Sequence, residues 1–418
     1  MKSYPRRAAT PLLACLTLIT TIFLHAQSTR VLPGIDVLRE QGFSILKGKR
    51  VGLITNPTGV DSKLRSTIDI LFNAPGVKLV ALFGPEHGVR GDHEGGTSVE
   101  TYVDPGTKLP VYSLYGKTRK PTPEMLKGID VLVYDIQDIG CRAYTYISTM
   151  GVAMASAAEN KIDFVVLDRP NPLGGVRVEG NIAEPEFMSF IGRYPIPYVY
   201  GLTCGELATL VNNEGMLENG VKCNLTVVPM TGWRREMTFG MTGLQWVPTS
   251  PHVPSETTPA FEIATGILGE LEVVSEGVGY TFPFRVYAAE WIDPAILADS
   301  MNALKIPGVL FRPLSFKPFY GLFTGKELKG VQLHFTDEAS VNLMSLQFVF
   351  LQVNNKLYPD KNPFTLASPT RLASFDRAAG TDKVRKLFSE RMRYADVEGF
   401  LNKDVDSFRK KAAKYLLY

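Results

Sequence analysis

Short continuous apolar runs alternate with segments of helical character through the first half of the chain, and this alternation constrains the fold more than any other feature. The runs lack the polar residue at every second position that a half-exposed strand shows, which is typical of strands covered on both faces. Helices between such strands provide the crossovers that parallel strands need. The sequence therefore predicts an α/β fold with a Rossmann-like, doubly wound, mostly parallel sheet, whose strands lie at residues 50–55, 78–83, 110–115, 130–135, 164–168 and 225–229.

Two helix starts can be located from side-chain chemistry. Thr122 stands before Pro123, which is the usual order of an N-cap residue and a proline in the first turn. Asp61 stands before residues 62–73, which suit a helix, and is expected to cap it.

A cluster of prolines divides the chain into two predicted domains. Pro248, Pro251, Pro254 and Pro259 follow the last predicted strand, and such a density of proline interrupts regular structure. We predict a Rossmann-like catalytic domain at residues 27–255 and a smaller α+β C-terminal domain at residues 256–418. The first strand is not followed by GxGxxG, and the chain has no Walker A motif, so neither a nucleotide nor any other cofactor is expected.

The first 26 residues have the layout of a secretory signal peptide. Three basic residues precede an apolar run at 8–24, and Ala26 offers a small residue for cleavage. A lipoprotein carrying lipid on Cys15 is the alternative, although the apolar run continues well past that cysteine. After residue 26 no apolar run reaches the roughly 20 residues that a membrane span requires. We therefore expect a periplasmic or secreted protein with no stable membrane insertion after signal cleavage.

Charge and cysteine content exclude several classes of function. The predicted signal peptide holds three of the 45 basic residues and none of the 42 acidic residues, so the remaining chain is formally neutral. This argues against nucleic acid as a partner, because binding it requires a basic surface. The remaining cysteines, Cys141, Cys204 and Cys223, have no CxxC spacing, which excludes a disulfide scaffold or a zinc ribbon.

Polar motifs follow four of the predicted strands directly. In a parallel α/β sheet, ligands bind outside the carboxyl ends of the strands, where the loops converge. We therefore expect the polar residues of these motifs to meet at one edge of the sheet and to form a ligand site there, in which His87 and Arg90 position Glu86. They are Asn56, Glu86, His87, Arg90, Gln137, Asp138, Arg142, Tyr144, Asp168, Arg169 and Asn171.

Glu86 is the strongest candidate for a catalytic group. It comes directly after a buried strand and stands between Gly84-Pro85 and Gly88, residues that impose a tight backbone path. A carboxyl group in this position would be partly desolvated, and desolvation favours the protonated form that a general acid needs. The alternative is that Glu86 only pairs with Arg90 or caps a helix. His87 is expected to hydrogen-bond beside the acid.

The sequence also offers candidates for a metal site and for a second carboxylate. His87 and His93 suggest a metal-dependent hydrolase, but their spacing matches no recognised zinc pattern, so no metal is predicted. A glycosidase normally uses a second carboxylate, for which Asp135, Asp138 and Asp168 are candidates.

Structural roles remain open for several of these residues. Asp168 and Arg169 could instead form a structural ion pair, and Asp135 could cap its strand. In the second half of the chain, His252 and Glu276 are candidates for substrate contacts, with a plain loop and a glycine turn as the alternatives.

The motifs resemble those of the bacterial exo-β-N-acetylmuramidase family. The resemblance covers nearly the whole mature chain and includes Gly-Pro-Glu-His-Gly at residues 84–88 and Asp-Arg-Pro-Asn-Pro at residues 168–172. It implies a Rossmann-like N-terminal domain, a smaller C-terminal domain, and an active site in the cleft between them with Glu86 as the catalytic acid. It also implies the release of N-acetylmuramic acid from the non-reducing end of peptidoglycan-derived saccharides.

The chain departs from the family pattern at four positions. Val278 and Tyr280 stand where many relatives have arginine and threonine, and His252 and Val253 stand where they have asparagine and methionine. An arginine at position 278 would be a natural bidentate partner for the lactyl carboxylate of muramic acid. Two alternatives therefore stay open: an exo-glycosidase for a different amino sugar, and a non-catalytic periplasmic sugar-binding protein.

Overall fold

The computed structural model describes residues 30–86, 88–91, 101–116 and 118–418. His87 and His93, together with the predicted signal peptide, lie outside these residues. Within the described part, seven strands form one sheet: β1 (Arg50–Thr55), β2 (Lys78–Gly84), β3 (Tyr102–Val103), β4 (Pro110–Ser113), β5 (Val131–Asp135), β6 (Asp163–Leu167) and β7 (Leu225–Val228). Their order is β3-β4-β2-β1-β5-β6-β7, and every neighbouring pair is parallel except β3 and β4.

Apolar side chains cover both faces of this sheet. Leu53 and Val133 belong to one cluster, whereas Ile54 and Leu132, their neighbours along the chain, belong to another on the opposite face. The helices of this part are α1 (Gly34–Glu40), α2 (Thr67–Phe72), α3 (Pro123–Leu126), α4 (Tyr146–Glu159) and α5 (Cys204–Asn213). Apolar residues of α1 and α2 join the first cluster, and those of α4 and α5 join the second. The predicted doubly wound α/β fold is therefore confirmed.

The two predicted helix starts differ in outcome. The Thr122 side chain accepts a hydrogen bond from the backbone N–H of Met125, so this N-cap is confirmed. The expected cap at Asp61 is wrong, because its carboxylate accepts the backbone N–H groups of Lys63 and Arg65 in a turn. The helix begins later, at α2, and is capped by Ser66.

The second part of the chain is smaller and mixed in structure. Among the described residues, β8 (Val286–Ala289), β9 (Val309–Phe316) and β10 (Leu328–Phe335) form an antiparallel sheet in the order β8-β10-β9. Its helices are α6 (Thr258–Gly269), α7 (Pro294–Asn302), α8 (Ser345–Leu357), α9 (Pro363–Leu366), α10 (Pro369–Ala379), α11 (Lys383–Arg391), α12 (Ala395–Asn402) and α13 (Val405–Ala412). The predicted α+β class of the second, smaller domain is therefore confirmed.

The two parts share a hydrophobic core. Ile139 and Tyr198 from the first part pack in the same buried cluster as Ile263, Leu268 and Phe348 from the second. Burial of this apolar surface stabilises the relative position of the two parts. The loop that follows β5 is therefore held against α6.

The end of the chain returns to the first sheet. The Tyr418 hydroxyl donates a hydrogen bond to Asp168 at 2.8 Å and accepts one from the backbone N–H of Met230 at 2.7 Å. Its ring packs edge-on against Trp233, with 5.1 Å between the ring centroids. The last residue thus anchors the loop that follows β6.

Searched over its described part, the chain contains no helix that has both the length and the apolar character of a bilayer span. Cys141, Cys204 and Cys223 are buried free thiols.

Candidate active site

The sheet places the predicted polar loops side by side. β1 lies between β2 and β5, and the chain builds outward from β1 in opposite directions on its two sides. Such a switch point leaves a crevice at the carboxyl ends of the strands. Asn56 follows β1, Glu86 follows β2, and Gln137 and Asp138 follow β5. These four residues therefore surround the crevice.

Two phenol groups accompany Glu86. The Glu86 side chain is half-buried, and Tyr115 forms a hydrogen bond with it. Burial, and then this hydrogen bond, raise the pKa of Tyr115. Burial also raises the pKa of Tyr146, an effect that its hydrogen bond with Asn56 opposes and the Glu86 carboxylate reinforces. Both phenols stay protonated at neutral pH and can donate hydrogen bonds.

Hydrogen bonds join the loops after β1 and β5. Asn56 Oδ1 accepts from the backbone N–H of Thr58 at 3.0 Å and from its hydroxyl at 2.5 Å. The Thr58 hydroxyl oxygen accepts from the backbone N–H of Gln137 at 2.8 Å. The Gln137 side-chain amide donates to the carbonyl oxygens of Asp138 and Pro170, each at 2.7 Å. Gln137 therefore connects the loops that follow β1, β5 and β6.

Asp138 is a buried carboxyl group with one oxygen satisfied. Its Oδ2 accepts hydrogen bonds from the Tyr200 hydroxyl and from the backbone N–H of Gly140. Its Oδ1 is buried and has no hydrogen-bond partner among the described residues. Burial raises the pKa of Asp138 to about 6. A buried acceptor without a partner is costly and is a feature of ligand sites.

Tyr144 lines the same region. Its hydroxyl donates to Thr249 Oγ1 at 2.8 Å, and its ring packs edge-on against Tyr146, with centroids 5.0 Å apart. Tyr144 is half-buried, whereas Tyr146 is almost fully buried. The Tyr144 ring is therefore the more accessible of the pair.

Glu262 on α6 is a residue of this region that the sequence analysis missed. Its Oε2 atom is buried without a hydrogen-bond partner among the described residues. Burial, and then the charge of Asp138, raise the pKa of Glu262 to about 8. The available signal was a single acidic residue within the otherwise uncharged and mostly apolar segment 258–269.

Arg169 and Asp168 anchor the loop after β6. Arg169 does not pair with its neighbour; its Nε and Nη2 atoms donate to the two carboxylate oxygens of Asp135 at 2.5 and 2.9 Å. The side chain reaches across to the adjacent strand end, where Nη2 also meets the carbonyl oxygen of Val60. Asp168 is fully buried and accepts from Thr203, among others. Arg169 therefore forms a structural ion pair, but its partner is Asp135 and not Asp168, the partner considered in the sequence analysis.

Asn171 also stabilises the conformation of this loop. Its amide nitrogen donates to the carbonyl oxygen of Leu202 at 2.9 Å, and its Oδ1 accepts from the backbone N–H of Leu173 at 3.0 Å. Gly140 has φ +79° and packs against the same amide, where a Cβ atom would lie 2.5 Å from Oδ1. The loops after β5 and β6 therefore touch at this point.

Two predicted arginines bind protein groups. Arg142 is fully buried and donates to four backbone carbonyl oxygens, two in the first part of the chain and two at the end of α10. Arg90 donates to Asp104 and Asp69. The hydrogen bond from Arg90, more than any other contact, lowers the pKa of Asp104 to about 2. Arg142 thus connects the two domains through hydrogen bonds, and Arg90 stabilises the loop that carries Glu86.

The two candidates from the second half of the chain lie on separate loops. The His252 ring stacks on Tyr320 with centroids 5.8 Å apart. The Glu276 carboxyl group lies against Gly269, where a Cβ atom would stand 3.0 Å from it. Burial raises the pKa of Glu276 to about 7. Among the described residues, no group of three or more His, Cys, Asp or Glu side chains has an arrangement that could hold a metal ion.

The fold and this geometry define a class of protein: a two-domain α/β protein with a site of carboxyl and phenol groups at the switch point of a Rossmann-like sheet. Two family models match the chain, exo-beta-N-acetylmuramidase NamZ, N-terminal, at residues 51–257 and exo-beta-N-acetylmuramidase NamZ, C-terminal, at residues 263–418. The chain therefore belongs to the exo-β-N-acetylmuramidase NamZ family.

Individual relatives agree with this assignment. The chain is 45% identical over 393 residues to the peptidoglycan beta-N-acetylmuramidase NamZ of Bacillus subtilis strain 168, a match that covers 94% of this chain and 92% of the relative. Crystal structures of two DUF1343 family proteins from Bacteroides fragilis NCTC 9343 are also similar. The first has 56% identity and a TM-score of 0.89, the second 29% and 0.75; each match covers 93% of this chain and 99% of the other.

Proposed function

We propose that the chain is an exo-acting glycoside hydrolase that releases N-acetylmuramic acid from the non-reducing end of peptidoglycan fragments. Membership of the NamZ family and 45% identity to a peptidoglycan β-N-acetylmuramidase support this reaction and substrate. Glu86 is its general acid. The observation that carries this role is the position of Glu86, half-buried at the switch point and hydrogen-bonded to Tyr115.

In the proposed reaction, the Glu86 carboxyl group gives its proton to the glycosidic oxygen as the bond from that oxygen to the anomeric carbon breaks. Water supplies the new hydroxyl group on the anomeric carbon, and the proton that this water loses restores the acid. The carboxylate that remains accepts the hydrogen bond of the Tyr115 hydroxyl, which stabilises the new charge. Tyr146, held by Asn56, adds a second neutral phenol close to the same charge.

The proposed location is the periplasm or the exterior of the cell, reached by the predicted signal peptide at residues 1–26. Peptidoglycan fragments occur in that compartment. Processing is tested by the N-terminal sequence of the protein isolated from its host. An N-terminus near Gln27 supports signal cleavage, and a lipid-modified Cys15 contradicts it.

The activity is tested with the mature protein and two disaccharides, one with N-acetylmuramic acid and one with N-acetylglucosamine at the non-reducing end. We expect sugar release from the first only. Glu86→Gln should lower kcat by about 10²–10⁴-fold, the usual contribution of a general acid. Glu327→Gln, at an exposed acid next to β10, is the matched control and should keep full activity.

Other outcomes separate the alternatives. Release of a different terminal amino sugar would keep the glycosidase class and reject the substrate. Binding without turnover in the unaltered protein would support a sugar-binding protein. Activity that is lost with a chelator and restored by metal would support the metal-dependent hydrolase.

A further inference from the structure

Glu262 is an acid without a countercharge. Among the described residues, the charge that acts on it is the negative one of Asp138 and not that of a lysine or arginine, and its Oε2 atom is buried with no hydrogen-bond donor. The residue as a whole is half-buried. An ionised carboxylate in such surroundings is costly, and the neutral acid is favoured.

Asp138 reinforces this preference. It is the charged group that acts on Glu262, and it is itself buried. Two carboxyl groups that share a low-dielectric site cannot both ionise readily. The Tyr200 hydroxyl and the Gly140 N–H donate to Asp138, which favours its ionised form, whereas Glu262 has no such donors. The pair therefore holds one proton, and Glu262 carries it.

The other groups that face Glu262 are neutral. Cys141 and Tyr144, from the loop after β5, and Tyr198 all interact with it electrostatically. Burial raises the pKa of each of these three groups, so they remain protonated. Arg142 lies beyond the Tyr198 ring, 5.6 Å from its centroid, and is occupied by backbone carbonyl groups. Asp138 is thus the charge that sets the state of Glu262.

There is space beside this acid. Gly266 follows Glu262 by one helical turn on the same face of α6. A Cβ atom added to Gly266 would meet Cγ of Glu262 at 3.3 Å and the Tyr198 hydroxyl at 3.9 Å, and within the described part it would have no other side-chain or loop neighbour inside 4 Å. Gly266 therefore leaves this part of the α6 surface, between the Glu262 side chain and the Tyr198 hydroxyl group, without a side chain of its own.

We propose that Glu262 is a neutral carboxylic acid that donates a hydrogen bond to the acetamido carbonyl group of the bound sugar, with the acetamido methyl group lying over Gly266. This inference rests on the proposed function. The lactyl carboxylate is excluded from this position because the negative charge of Asp138 repels it. Glu262 interacts electrostatically with Tyr144, and Glu86 with Tyr146. The two rings pack against each other, and the half-buried Tyr144 ring is the one that a sugar can contact. Glu262 thereby determines specificity for N-acetylated sugars.

Sugar binding in a Glu86→Gln background tests the proposal without turnover. The probes are N-acetylmuramic acid and 3-O-lactylglucose, which has a hydroxyl group in place of the acetamido group; calorimetry at pH 7 measures both. We expect Glu86→Gln to prefer the acetylated sugar and the added change Glu262→Ala to remove this preference, with a loss of about 100-fold in affinity for the acetylated sugar. Glu270→Gln, at another half-buried acid at the end of α6, is the matched control and should keep the preference.

The pH dependence distinguishes a neutral donor from a charged group. Affinity for N-acetylmuramic acid should fall as the pH rises above about 8, where Glu262 loses its proton. Glu262→Gln keeps a neutral donor of the same shape, so it should retain affinity within about fivefold at pH 7 and lose the fall above pH 8. This variant also keeps the proposal falsifiable if Glu262→Ala does not fold, as checked by its melting curve.

Three results would overturn the proposal: unchanged preference in Glu262→Ala, an unchanged fall above pH 8 in Glu262→Gln, or a loss of several orders of magnitude in kcat when Glu262→Gln is made in the otherwise unaltered enzyme. The last would make Glu262 an ionised base or nucleophile. Failure of the proposed function looks different: the unaltered protein would not cleave the disaccharide, while the Glu262-dependent preference in binding would remain measurable.

Discussion

Replacement of Tyr418 by phenylalanine is a sharp test of how the chain end supports the site. The hydroxyl group of this last residue bonds Asp168 and the backbone N–H of Met230. Phenylalanine keeps the ring and its contact with Trp233, so the change removes hydrogen bonds with little change in packing. Asp168 retains its bonds from Thr203 and from backbone N–H groups.

The expected loss follows from these two bonds. A hydrogen bond to a charged group contributes roughly 1.5–3 kcal/mol, and a buried N–H left without a partner costs roughly 1–3 kcal/mol. Tyr418 is only half-buried, so water can replace part of what is lost. We expect the free energy of unfolding to fall by about 3 kcal/mol at pH 7.5. With an m-value of about 3 kcal/mol/M, the urea midpoint would fall by about 1 M.

The loss should depend on pH in a defined direction. Burial raises the pKa of Asp168 to about 6, above its value in the unfolded chain, so the folded protein binds this proton more tightly. The corresponding stability is present below the unfolded pKa of about 3.9 and is lost as the pH rises through 6. Removing the Tyr418 hydroxyl raises the folded pKa further. The variant should therefore lose more stability at pH 7.5 than at pH 4.5.

The assay is urea unfolding followed by tryptophan fluorescence, because Trp233 contacts Tyr418. A second probe, circular dichroism, must give the same transition before a free energy is assigned. Tyr415→Phe is the matched control, since its hydroxyl bonds the accessible Glu214 and its loss should matter little. Equal effects of the two changes, or a Tyr418→Phe effect that is the same at both pH values, would refute the reasoning.

Two further changes test the loops that carry the site. Arg169→Lys replaces a buried bidentate contact with Asp135 by at most one bond, so urea unfolding should show a loss of about 2 kcal/mol or more. Arg50→Lys, in an exposed pair with Asp130 at the opposite end of β5, should change little, and equal losses would contradict this. Asp104→Asn should lower the melting temperature above pH 4, and this effect should vanish towards pH 2. The reason is that Arg90 lowers the pKa of Asp104 to about 2, so the stability that this pair contributes is lost as Asp104 is protonated. An effect that is undiminished at pH 2 would contradict the assignment.

Local patterns predicted the elements well where the decisive interactions are local. The central strands begin and end within one residue of their predicted limits, because continuous burial on both faces leaves an apolar run in the sequence. The Thr122 cap depends on residues within one turn, and it is confirmed. Asp61 fails as a cap because its carboxylate also pairs with Arg39 of α1, a partner that no local pattern indicates.

The site could be predicted only in part, because some of its interactions join residues that are distant in the sequence. The polar residues that follow β1, β2 and β5 could be placed at one edge, since parallel strands bring their carboxyl ends together. Which of them bind protein could not be predicted. The guanidinium group of Arg142 is suited to binding a ligand, yet it donates hydrogen bonds to four backbone carbonyl oxygens, two of them at the end of α10.

The sequence by itself determined the parallel sheet, the edge at which the polar loops meet, and the resemblance to a family of muramidases, because each of these depends on patterns of neighbouring residues. Only the tertiary structure decided which charges are paired and which are left without partners. Asp138 and Glu262 lie far apart in the chain and meet where α6 packs against the loop after β5. Their shared environment changes the protonation of both, since electrostatic energy depends on distance in space and on burial rather than on separation along the chain.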